Sequence, residues 1–140
     1  MDKVVALIQN CKVPLYGICF GHQIICKALG GEVERASEGS AFMADVTYSN
    51  GDKTRQLFTH QDHVIDAGEM EVIGSAEHCK IAVCKHPSRP IRTVQFHPEA
   101  VLSLLEFSVE CGDMTLDERE DFGDGKQDLD VTESLIHPKF

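Results

Sequence analysis

The apolar positions change period along the chain. In residues 2–12, Val4, Leu7, Ile8 and Cys11 fall at i, i+3, i+4 and i+7. That spacing predicts an amphipathic helix, with Asp2 placed to cap its start. Val13-Pro14-Leu15-Tyr16-Gly17-Ile18 follows as an almost unbroken apolar run. Strands buried on both faces of a parallel sheet read this way, and Pro14 fits only near the start. Residues 21–29 return to a helical pattern that stops at Gly30-Gly31, a sequence suited to ending a helix. The middle of the chain then breaks into short β-rich runs at 32–35, 42–48, 54–59, 71–74, 80–84 and 91–96. Ser49-Asn50-Gly51-Asp52 predicts a hairpin turn, and Pro87-Ser88-Arg89-Pro90 a second one. A last helix is expected over 100–109, with Val101, Leu104, Leu105 and Ser108 on one face.

Charge divides the chain. Residues 1–105 carry 12 acidic and 10 basic side chains, whereas 106–140 carry 11 and 3. The net charge of −10 therefore belongs mostly to the end of the chain. Residues 1–110 read as one domain and 111–140 as an acidic tail of disordered composition. A length of 140 residues with 42% hydrophobic side chains suffices for one core, not two. The acidity argues against nucleic acid as a partner. No apolar run is long enough for a membrane span, and no secretory signal opens the chain. The expected location is cytoplasmic. The six cysteines then read as free thiols, most of them small buried residues.

The sharpest local feature is Gly17-Ile18-Cys19-Phe20-Gly21. A nucleophile between small residues, after a buried strand and before a helix, is the pattern of a nucleophile elbow. Such a turn strains the central residue and lifts its side chain clear of the sheet. There the helix dipole favours a thiolate, and backbone N–H groups can face an oxyanion. A cysteine nucleophile needs a base and an orienting group. His97 follows the strand at 91–96, and Glu99 stands two residues on. Both Cys19 and His97 would lie at carboxyl ends of parallel strands, where α/β sheets gather their sites. His60 and His63 with Cys79 and Cys84 form no recognised ligand set, so no metal and no cofactor is expected. His22 reads as a pocket-edge or helix-surface residue. His78, His86 and His137 carry no signal.

Residues 14–23, Pro-Leu-Tyr-Gly-Ile-Cys-Phe-Gly-His-Gln, together with Val94-Gln95-Phe96-His97-Pro98-Glu99, resemble a class I (triad) glutamine amidotransferase domain. Phe58-Thr59-His60-Gln61-Asp62-His63-Val64 resembles that family's intermediate segment, and the likeness covers about residues 4–107. The resemblance implies an α/β fold with an open, mainly parallel, flavodoxin-like sheet, flanking helices and short antiparallel hairpins. It implies Cys19 as nucleophile, His97 as base and Glu99 as its orienting residue. Phe20 would supply an oxyanion N–H, Gln23 would line the glutamine pocket, and His60, Gln61 and Asp62 would meet the far end of the substrate. The implied reaction is release of ammonia from glutamine, or hydrolysis of a γ-glutamyl amide, through a γ-glutamyl thioester. A synthetase partner would accept the ammonia. Only 18 residues precede Cys19, so the family's first strands and its glycine-rich oxyanion loop are expected to be missing. That departure admits an alternative, a truncated or inactive relative serving as a binding or regulatory module, and it predicts oligomers through an exposed sheet edge.

Overall fold

The structure, a computed structural model, describes residues 2–98. The expected helix at 100–109, the tail boundary, Glu99, Cys111 and His137 lie outside the described residues. The elements are α1 (Asp2–Asn10), β1 (Leu15–Ile18), α2 (Phe20–Ala28), β2 (Glu32–Tyr48), β3 (Lys53–Asp66), β4 (Glu71–Ser75), β5 (Val83–Lys85) and β6 (Ile91–Val94). Both helices fall where the periodicity put them. Asp2 lies in the first turn of α1 rather than before it, where its charge meets the positive end of the helix dipole. Gly30, at φ 93°, takes the left-handed conformation just past α2.

The strands form a six-stranded sheet in the order β1-β6-β5-β4-β2-β3. The expectation of a mainly parallel sheet is corrected here. Among the described residues only β1 and β6 pair in parallel, and the other four pairings are antiparallel. Connection length explains the difference. Residues 49–52 join β2 to β3 and residues 86–90 join β5 to β6, and links this short can only reverse the chain, whereas parallel neighbours need a crossover. The runs at 32–35 and 42–48 belong to one 17-residue strand, with its register broken between Arg35 and Ser40.

Side chains on opposite faces of the sheet build two apolar clusters. One packs Ile8 of α1 and Ile25, Cys26 and Leu29 of the α2 segment against Val64 and Ile91. The other joins Val46, Phe58, Val83, Val94 and Phe96. Phe58 and Phe96 are fully buried and meet edge to face at 5.8 Å, a geometry that adds to their area burial. Arg89 Nη2 donates to the carbonyls of Ile8 and Cys11, each at 2.7 Å. It brings a charge that the dipole favours to carbonyls at the end of α1. No helix among the described residues is long and apolar enough to cross a membrane, and the five described cysteines are free thiols.

Gly17 marks the closest approach of β1 to α2. A Cβ there would lie 2.6 Å from Ile25 Cδ1 and 2.8 Å from the Gly21 carbonyl carbon, whereas a Cβ on Gly21 would meet nothing within 4 Å. The expected need for small neighbours on both sides of Cys19 therefore holds sterically at Gly17 alone. Gly17→Ala should lower stability by about 1–3 kcal/mol through overpacking, and Gly21→Ala should leave it unchanged or slightly raised. Urea unfolding of both variants decides it; equal effects would contradict the packing described.

Candidate active site

The turn from β1 into α2 is made at a single residue. Cys19 has φ 55° and ψ −104°, and it is the one non-glycine described residue with positive φ. A β-carbon is disfavoured there, so surrounding hydrogen bonds must hold the conformation. The Cys19 N–H donates to Val94 O at 2.9 Å, and the Gln23 N–H donates to Cys19 O at 3.3 Å. Ile18 pairs in parallel with Val94, so the chain leaves both strands at the same end of the sheet. Past β6, the His97 N–H donates to Leu57 O on β3 at 2.9 Å. Cys19 and His97 thus emerge from adjacent strand ends, with the first turn of α2 beside the sulfur.

Among the described residues, Thr59 and Gln95 meet that sulfur. The Cys19 thiol donates to Thr59 O at 3.7 Å, and Gln95 Nε2 donates to Cys19 Sγ at 3.6 Å. Gln95 is fully buried and is itself held from behind. Gln23 Nε2 donates to Gln95 Oε1 at 3.2 Å and to Asp62 O at 3.0 Å. A chain of amides therefore runs from β3 through α2 to the sulfur. A buried polar group left unpaired costs about 1–3 kcal/mol, so each amide keeps the next in place.

The sulfur borders an open cavity of about 200 Å³ lined by Cys19, Gln23, Arg35, His60, Gln61 and Asp62. Arg35 Nη2 donates to Gln61 Oε1 at 2.6 Å, and Arg35 Nη1 lies 3.6 Å from Asp62 Oδ1. That carboxylate oxygen is buried and accepts no hydrogen bond among the described residues. The cavity wall thus presents one guanidinium and one carboxylate side by side. A zwitterionic small molecule matches that pairing.

Of the residues expected from the sequence, Cys19, Gln23, His60, Gln61 and Asp62 line this one cavity. Phe20 opens α2 and is 61% exposed. His97 stands half-buried at the same sheet end. His22 is corrected: it is fully buried rather than at a pocket edge or on the helix surface. Its Nε2 donates to Ile81 O at 3.0 Å and its Nδ1 accepts from the Thr93 hydroxyl at 2.8 Å. Sequence reasoning passed over Gln95, although it sits inside the quoted 94–99 motif, and Arg35, whose strand position gives no signal.

Three histidine rings gather beside the cavity. His60 and His78 centroids lie 5.4 Å apart, His60 and His63 4.6 Å apart, and His78 stands edge-on to Phe58 at 4.5 Å. Burial pushes the His60 imidazole below its ordinary value and, with the charges of His60 and His63, brings His78 down to about 4. The unfolded chain takes up the His78 proton as pH falls through about 6.5, and the folded chain resists until about 4. The unfolded state then binds more protons across that window, so stability is fullest above it and declines as pH falls through it. Urea midpoints should drop between pH 7.5 and pH 5, and His78→Asn should shrink that drop. An identical drop in the variant would contradict the assignment.

Residues 1–108 match the model of the family described as glutamine amidotransferase class-I. A GMP synthase (glutamine-hydrolysing) subunit of Methanococcus aeolicus is 40% identical over 99 residues, which are 64% of this chain and 53% of that protein. The same-named subunit of Pyrococcus abyssi is 30% identical over 128 residues, covering 81% of this chain and 68% of that one. The chain thus spans about half the length of the first of these relatives. A glutamine amidotransferase crystal structure from Thermotoga maritima superposes with TM-score 0.74 at 19% identity, over 97% of this chain and 64% of that one, which shows a shared fold. With its family model matched over residues 1–108, the chain belongs to the class I glutamine amidotransferase family.

Proposed function

We propose that the protein hydrolyses the side-chain amide of glutamine, or of a γ-glutamyl compound, and releases ammonia. The observation that carries this reading is Cys19 in its left-handed turn, with its sulfur on a small cavity that also holds a guanidinium and a carboxylate. Arg35 is suited to the substrate's α-carboxylate and Asp62 Oδ1 to its α-ammonium. His60, Gln61 and Gln23 line the same cavity. His97 takes the Cys19 proton as the sulfur attacks the γ-carbonyl carbon, and Glu99 orients that ring. The Phe20 N–H, at the start of α2, stabilises the oxyanion. Collapse breaks the C–N bond, and the histidine's proton leaves with ammonia. Water then attacks the γ-glutamyl thioester, and glutamate departs as the thiol is restored.

The parallel β1–β6 pair with the turn at its carboxyl end supports a flavodoxin-like sheet as the frame of this site. Relatives named as GMP synthase subunits support a synthetase subunit as the ammonia acceptor. Free thiols at the described cysteines support a reducing, cytoplasmic setting.

Ammonia and glutamate release from glutamine, measured with the purified chain, tests the reading. Cys19→Ser should lower the rate by about 10⁴-fold or more. Gln95→Leu, which takes the amide from the sulfur and an acceptor from Gln23, should lower kcat by about 10- to 100-fold and stability by about 1–3 kcal/mol. Release no faster than the uncatalysed rate from folded protein, or full activity in Cys19→Ser, would overturn it.

A further inference from the structure

Two side-chain clusters bring histidine and cysteine donors together, and the second shares His60 with the wall of the Cys19 cavity. His22, Cys26 and Cys84 are all buried at 0% exposure, and both His22 nitrogens already have partners. The second cluster sets half-buried His63 beside buried His60 and Cys79. His60, His63 and Cys79 each place one donor atom so that all three lie within 4.8 Å of one another. His63 and His78 also line a cavity of about 460 Å³, which opens to solvent beside β3.

We propose that His60, His63 and Cys79, with His78 as fourth donor, form a site for a thiophilic divalent cation of the Zn²⁺ or Co²⁺ type. His60 Nδ1 lies 2.9 Å from Asp62 O. A carbonyl can only accept, so Nδ1 carries the proton and the Nε2 lone pair is left to a metal. Outer hydrogen bonds of this kind fix the tautomer of ligating histidines. His78 Nε2 lies 3.2 Å from His60 Nε2. Bonds of about 2.0–2.1 Å to nitrogen place tetrahedral donors about 3.3 Å apart, close to this spacing. His78 ligates once its proton moves to Nδ1. The remaining donors close in by about 1 Å, given a Zn–S bond of about 2.3 Å. The Cys79 thiol, which donates to Ile81 O at 3.6 Å, releases its proton to solvent as the metal–sulfur bond forms. Three nitrogens and one sulfur select Zn²⁺ and Co²⁺ over Mg²⁺ and Ca²⁺. The strands explain the convergence. His60 and His63 sit on β3, and His78 and Cys79 lie in the 76–82 connection that packs against Phe58 of the same strand.

Cys19 is a competing thiol, so the test uses the full chain carrying Cys19→Ser, and it does not depend on amide hydrolysis. Titration with Co²⁺ should give one ion per chain, with visible tetrahedral bands and a sulfur-to-cobalt charge-transfer band. Zn²⁺ should displace it. Adding Cys79→Ser should abolish the charge-transfer band. Adding half-buried His63→Ala, which leaves the apolar clusters intact, should weaken binding by about tenfold or more. Thermal melting of each variant confirms that it is folded. Absence of the bands in the Cys19→Ser chain, their persistence in both added variants, or their loss only on Cys26→Ser would overturn the proposal.

Discussion

The structure depends on one backbone constraint: the chain must pass from β1 into α2 through a left-handed cysteine. A strand whose last residue pairs with Val94 has no room to spread this turn over several residues. Gly17 lets the helix approach, since any β-carbon there would strike Ile25 and the backbone of Gly21. The N–H of Cys19 is fixed to Val94, so the strain cannot relax by sliding the turn. The result is a sulfur held at the mouth of the sheet between the buried Gln95 amide and the Thr59 carbonyl. Reactivity at Cys19 is in this sense a packing property as much as a chemical one.

The polar groups behind the sulfur extend the same logic. Gln23 and Gln95 are buried, and among the described residues their side chains bond to each other, to Asp62 and to Cys19. Such a network is stable when fully paired and costly when broken. It links α2, β3 and the segment after β6, the three pieces of chain that surround the cavity. The β2–β3 hairpin reaches across from the far edge of the sheet to supply Arg35, His60, Gln61 and Asp62. An antiparallel extension on a short parallel core therefore builds the far wall.

Much of the local structure was legible in the sequence, because its causes are local. The helical periods at 2–12 and 21–29, the glycine stop and the two turns all depend on neighbours a few residues away. The direction of the strands was not legible in the same way. A buried apolar run reads alike in parallel and antiparallel sheets, and only the short connections decide. The length of β2 was hidden by Ala36-Ser37-Glu38-Gly39-Ser40, a polar stretch that spans the break in register with β3. At the site, Cys19 stood out from five consecutive residues. The partners of its sulfur did not, for they come from 40 and 76 residues away. His22 looked like a surface residue because the groups that satisfy it, Ile81 O and the Thr93 hydroxyl, are 59 and 71 residues distant.

The central claim is that the turn at Cys19 and the cavity beside it form one assembled glutamine site. Incubation with a chloroketone analogue of glutamine, followed by intact-mass and peptide mass spectrometry, tests this most directly. A single adduct on Cys19, suppressed by excess glutamine while the other thiols stay unmodified, is the predicted result. Equal labelling of Cys19 and Cys11, or labelling of Cys19 that glutamine does not suppress, would show an accessible thiol without a glutamine site and would contradict the account.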